Sequence, residues 1–283
     1  MKPAAILTRS QGIILEQWQE LLRLRKSVLK TSDLDAIHDL RVASRRFRAA
    51  LGLFEAWIAP KRAALLKRSI GKLTRLLGGL RNLDEALLFF PSRTPAESAG
   101  GYQLRYLLTQ MRAGELARIE EALKALDHRR LDRIVRKALS GLEERYIAKN
   151  GGVSLSDYFS DSCSRLFQPI HDLLPVAIDR ENRESRHALR IAIKKWRYFF
   201  EIVAPVLGSD CSVVLGQLKE YQTILGSMND VAEFCILCSA LTLSRHERNF
   251  VEATLQTEDD LLLRKLAELI TQKPLTYTPL DYP

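Results

Sequence analysis

Apolar residues recur at three- and four-residue steps along almost the whole chain, and strict apolar–polar alternation is nearly absent. The pattern predicts long helices near 8–30, 33–58, 62–90, 98–126, 129–148, 154–174, 182–206, 210–243 and 245–272. Ser32 with Asp35 three residues on resembles a capping box ahead of the second helix, and Pro60 and Pro91 read as stops. Asn150-Gly151-Gly152 breaks the pattern at mid-chain, and beyond Pro274 the helical period is lost. These features predict an all-α protein of antiparallel helices.

The chain also repeats itself. His38-Asp39-Leu40-Arg41-Val42-Ala43-Ser44-Arg45-Arg46-Phe47-Arg48 aligns without gaps to His187-Ala188-Leu189-Arg190-Ile191-Ala192-Ile193-Lys194-Lys195-Trp196-Arg197, with five of the eleven positions identical, at an offset of 149. Leu76-Leu77-Gly78-Gly79-Leu80-Arg81-Asn82-Leu83 then matches Ile224-Leu225-Gly226-Ser227-Met228-Asn229-Asp230-Val231 at an offset of 148. Two motifs in the same order imply an internal duplication. The expected architecture is two pseudo-symmetric helical bundle halves, residues 1–149 and 150–283, forming one domain.

Charge sharpens the picture. The chain carries 43 Lys and Arg against 34 Asp and Glu, a net +9. Residues 1–200 stand at +15, whereas 201–283 stand at −6. A basic excess held in one part of the chain argues for an anionic partner. The longest uncharged stretches run to about a dozen residues, as at 234–244, too short for a membrane span. Arg9 interrupts the only apolar run near the N-terminus, so no signal peptide is expected. Four cysteines suit a reducing compartment, and the expected location is the cytoplasm.

The first repeated segment makes a two-sided helix. Projected down a helical axis, Arg41, Arg45 and Arg48 share one flank with His38. Leu40, Ala43, Phe47, Leu51 and Phe54 gather on the opposite side. The second copy places His187, Arg190, Lys194 and Arg197 on one side and Leu189, Ala192, Trp196, Phe200 and Val203 on the other. Arg46 and Lys195 project between these faces, apart from both stripes. Like charges one turn apart cost a helix roughly 0.2–0.5 kcal/mol per pair, and compensating acids are scarce among these positions. Each stripe is roughly 15 Å long, a shape suited to an extended polyanion, and guanidinium groups can bind two phosphate oxygens at once. Histidines binding as imidazolium would strengthen that affinity as pH falls from about 7.5 to 6.

In the second motif, glycine inside a helix costs roughly 1 kcal/mol against alanine. Close approach of a neighbouring helix is the expected reason at Gly78, Gly79 and Gly226. Arg81 and Asn229 occupy matching positions and are candidates for the same face as the basic stripes.

HDLRVASRRFRAAL with LLGGLRNLD, then HALRIAIKKWRYFFE with YQTILGSMNDV, resembles the CHAD family of histidine-marked α-helical domains over roughly residues 8–272. The resemblance implies two pseudo-symmetric helical bundles around a basic channel that binds inorganic polyphosphate without catalysis, and hence association with polyphosphate granules. The residues it implicates are His38, Arg41, Arg45, Arg46, Arg48 and Arg81 in the first half. In the second they are His187, Arg190, Lys194, Lys195, Arg197 and Lys219. Tyr198 and Glu201 match the family's Arg-Tyr-x-x-Glu. One departure is Asn82, where the family usually has Asp; Asp230 keeps the acid in the second half. If that acid orients a neighbouring arginine, Arg81 should be less well fixed.

Other chemistries are less well supported. Asp35–His38 and Glu184–His187 have the spacing of a helical di-metal motif, but each histidine heads a stripe of cations that repels a divalent ion. Both acids also fit a first helical turn. Cys235 and Cys238 lie mid-helix with no second pair, so packing is expected rather than zinc or any other cofactor. No phosphate loop or nucleophile motif occurs, and no enzyme is expected. Nucleic acid is the alternative partner, being also a phosphate polymer, though Trp57, Trp196 and Phe199-Phe200 follow the core period and leave the stripes without stacking aromatics.

Overall fold

The periodic apolar positions fold as helices throughout the computed structural model, which describes residues 3–93, 101–149 and 154–280. In chain order they are α1 (Pro3–Thr31), α2 (Leu34–Leu53), α3 (Pro60–Phe89), α4 (Tyr102–Ala125), α5 (His128–Ser140), α6 (Leu142–Lys149), α7 (Leu155–Leu173), α8 (Arg183–Leu207), α9 (Ser212–Ser239) and α10 (Arg245–Gln272). Short 3-10 turns follow α2 and α3, and no strand occurs among the described residues.

Local chemistry sets the boundaries. The cap of α2 is Asp33, whose carboxylate accepts from the Ala36 N–H at 3.1 Å. Ser32, expected in that role, is instead a turn residue at φ +49°, and its hydroxyl donates to Glu120 at 2.5 Å. Pro60 does not close α2, which ends at Leu53; it occupies the first turn of α3, where a missing N–H costs nothing. The helix expected over 129–148 is two, α5 and α6, divided at Gly141. A Cβ at Gly141 would collide with the Arg145 guanidinium, which donates to the carbonyls of Trp57 and Ala138. Gly208 ends α8 in the left-handed region at φ +73°, where glycine is unstrained. The break expected at Asn150-Gly151-Gly152 lies outside the described residues.

Each half of the chain packs its helices in succession, α1 on α2 on α3 on α4, and α7 on α8 on α9 on α10. The halves meet where α2 packs on α8 and α3 on α9. The stripes of apolar residues expected on α2 and α8 are buried, Phe47 and Trp196 completely. Leu66, Ile70, Leu73, Leu77, Leu80, Leu83 and Ala86 of α3 are buried, and so are the residues 148 positions on, Val214, Leu218, Tyr221, Leu225, Met228, Val231 and Phe234 of α9. One continuous cluster of buried apolar residues runs through both halves, from Ile6 to Leu280. Past α10 the chain has no regular secondary structure up to residue 280, with Leu275 and Leu280 buried and Gln217 and Tyr221 donating to the Lys273 carbonyl.

Candidate anion-binding site

The contact of α2 with α8 brings the two basic stripes face to face. Because the core residues of each helix point inward at helical spacing, Arg41 and Arg45 on α2 and Arg190 and Lys194 on α8 are directed to one cavity of about 310 Å³. Its lining holds seven Lys and Arg residues against two carboxylates, Glu201 and Asp230. Both acids are already engaged. Glu201 accepts from Arg197 at 2.8 Å and from Arg46, across the interface, at 3.3 Å. Asp230 on α9 holds Arg81 on α3 through both guanidinium nitrogens, one at 2.7 Å. Among the described residues, Arg41, Arg45, Arg190 and Lys194 form no ion pair.

That arrangement is electrostatically costly. Burial, then Arg45 and Arg81, lower the Arg41 pKa to about 10. Burial lowers Lys194 further, to about 7, with Arg190, Arg45, Arg41 and Arg81 adding repulsion. Arg190 is lowered chiefly by burial, with Asp230 opposing the shift. Burial also opposes the charge on Arg81, but the Asp230 pair outweighs it and its pKa is raised. The Nε atoms of Arg45 and Arg190 are buried without a hydrogen-bond partner, each a deficit of about 1–3 kcal/mol.

The acid at position 230 fixes the arginine of the opposite half, so Arg81 is held firmly, contrary to the expectation from Asn82. The positions matching this pair, Asn229 and Asn82, are both uncharged. Asn229 accepts from Arg190 at 2.7 Å and lies 3.0 Å from His187 Nδ1, while Asn82 donates to Glu233 at 3.0 Å.

The cavity gathers His38, Arg41, Arg45, Arg46, Arg81, Arg190, Lys194 and Arg197 from the sequence expectations, with Tyr198. Arg46, which helical phase placed apart from the stripe, reaches the cavity wall through its Glu201 pair. Four expected residues lie elsewhere. Arg48 is exposed and rests on α3 beside Gly71, and His187 lines a separate small recess with Arg183 and Asn229. Lys195 lines a groove of about 430 Å³ with Tyr158 and Arg165, and Lys219 is exposed on α9. Gln222, which receives Arg197 at 2.6 Å, had no sequence signal. The glycines also need correction: a Cβ at Gly78 or Gly226 meets nothing within 4 Å, so no helix crowds either one. Gly226 instead forms part of the cavity wall.

Cys235 and Cys238 are free, and burial pushes the Cys238 thiol up to about 12. Among the described residues no group of three His, Cys, Asp or Glu could hold a metal, and no helix is long and apolar enough to cross a membrane.

Fold and site together define an all-helical protein with a cationic cavity between two packed helix pairs. The chain belongs to the CHAD-domain family, whose model matches residues 12–235. It is similar to the crystal structure of the CHAD domain from the plant Ricinus communis, at a TM-score of 0.72 and 22% identity, over 97% of this chain and 93% of that one. It is also similar to PptA from Streptomyces chartreusis, at a TM-score of 0.66 and 15% identity, over 94% of this chain and 98% of that one. No curated protein sequence matches it.

Proposed function

We propose that this protein binds inorganic polyphosphate in the cavity between α2 and α8, as a binder and not an enzyme. The observation that carries this reading is the set of four cations, Arg41, Arg45, Arg190 and Lys194, gathered without an acidic partner in a lining of seven Lys and Arg. Folding concentrates repulsion there, and an anion of several charges relieves it, so ligand binding and cavity stability are coupled. A single phosphate would meet only part of the set, whereas a linear chain contacts both helices. Membership of the CHAD family supports the same ligand. Tyr198 is the one hydroxyl or thiol among the described lining residues, and both carboxylates are committed to arginines, which suits holding a chain rather than cleaving it. Nucleic acid is less well served, because Tyr198 is also the one Tyr, Trp or Phe among those residues.

The test is the joint reversal Arg41→Glu, Arg45→Glu, Arg190→Glu and Lys194→Glu, followed by polyphosphate titration. Binding should be lost with helical content retained. A folded variant that binds as tightly as the wild type would refute the site.

A further inference from the structure

A second basic surface lies outside the cavity. Projected down the axis of α3, the buried Ile70, Leu73 and Leu77 fall on the same side as Leu66. Lys61, Arg68, Lys72 and Arg75 fall together on the opposite side, and all four are exposed. No side chain of theirs forms an ion pair among the described residues; the one bond recorded is Arg75 Nε to the Gly71 carbonyl at 3.4 Å. Arg48 of α2 joins this row. The site of a Cβ on Gly71 lies 3.8 Å from its guanidinium carbon, which sets Arg48 between Arg68 and Arg75, one turn either way along α3.

The row is confined to one half. The residues 148 positions on, Ser209, Gly216, Glu220 and Thr223, include no cation, although seven buried positions of α3, from Leu66 to Ala86, match buried positions of α9. Glu220 is moreover paired with Lys273 at 2.8 Å. Packing therefore accounts for the apolar face of α3 but not for its outer cations. Four cations between positions 61 and 75, about 21 Å of helix, repel one another and form no ion pair among the described residues.

We propose that Arg48, Arg68, Lys72 and Arg75 form an external track that takes up the same polyphosphate chain where it leaves the cavity, so that long chains exit over the first half of the molecule. The track rests on the reading of the cavity as a polyphosphate site. It begins on α2, whose Arg45 and Arg41 line the cavity one and two turns before Arg48. That continuity favours a single emerging chain over a separate nucleic acid duplex.

The experiment compares wild type, the track variant Arg68→Glu/Lys72→Glu/Arg75→Glu and the fourfold cavity variant, each titrated with tripolyphosphate, long-chain polyphosphate and duplex DNA. All three track positions are exposed and outside any ion pair among the described residues, and far-ultraviolet circular dichroism is the check that the variant keeps its fold. The track variant should lose about tenfold or more in long-chain affinity, with a salt dependence shallower by about three phosphates' worth, and bind tripolyphosphate as wild type does. Unchanged long-chain binding, or an equal loss for tripolyphosphate, would overturn the track. Loss of duplex DNA alone would assign the row to nucleic acid and overturn it as well. Retention of tripolyphosphate binding by the cavity variant would instead overturn the cavity, while the long-chain arm still decides the track.

Discussion

Lys194 makes the affinity of the cavity depend on pH in a way that the arginines cannot. Its amine faces Arg190 from its own helix, Arg41 and Arg45 from α2, and Arg81 from α3; Asp230 and Glu201 are occupied by arginines, and His38 and Tyr198 also line the wall. Burial and these cations bring its pKa to about 7, so in the free protein the charged fraction falls from about nine-tenths at pH 6 to about one-tenth at pH 8. A polyanion in the cavity favours the ammonium form and must restore the missing proton at the higher pH. Polyphosphate affinity should therefore weaken up to about tenfold between those two values. The same shift acts on stability. The unfolded chain holds the proton up to a pKa near 10.5 and the folded chain releases it near 7, so the penalty from Lys194 is full below about 7 and fades as pH rises from there towards 10.5. Lys194→Arg, charged throughout, should flatten the binding profile, and Lys194→Met should flatten it at the weaker level. Calorimetric titration on a His38→Gln background keeps the histidine out of the slope. Equal slopes in wild type and Lys194→Arg would refute the reasoning.

Gly226→Leu should obstruct the cavity and weaken binding at least tenfold with no change of charge, whereas Gly226→Ala should raise stability by about 0.5–1 kcal/mol in denaturant unfolding. Asp230→Asn releases Arg81 and should cost about 1–3 kcal/mol while tightening polyphosphate binding, since the cavity gains net positive charge; the two effects separate in unfolding and binding curves. Asp33→Ala should destabilise by about 0.5–2 kcal/mol through loss of the α2 cap. Trp196→Ala, at a fully buried position, should cost about 3–5 kcal/mol in the same unfolding assay.

The helical period and the two motif pairs were legible because each is local. Phe47 and Trp196 are buried where the helical stripe puts them, and Arg41, Arg45, Arg190 and Lys194 face one another because equivalent helices pack together. Contacts between distant positions were not legible. Nothing near Asn82 announces that the acid for Arg81 comes from Asp230, and Arg46 looked detached until Glu201 of α8 met it across the interface. Ser32 and Asp33 compete for one cap, and composition alone does not choose between them. Gly226 showed only the cost of a helical glycine; the reason for it, room in the cavity wall, is a property of the assembled helices. The outer cations of α3 carried no motif or repeat to single them out, and they gained meaning only once Arg48 was seen to rest beside Gly71.

The most direct measurement is calorimetric competition between long-chain polyphosphate and single-stranded DNA and RNA of matched length, at two salt concentrations. The expected result is tight, length-dependent polyphosphate binding that displaces both nucleic acids and weakens steeply with salt. Nucleic acid that binds as tightly, or displaces polyphosphate, would contradict the assignment of the α2–α8 cavity to inorganic polyphosphate.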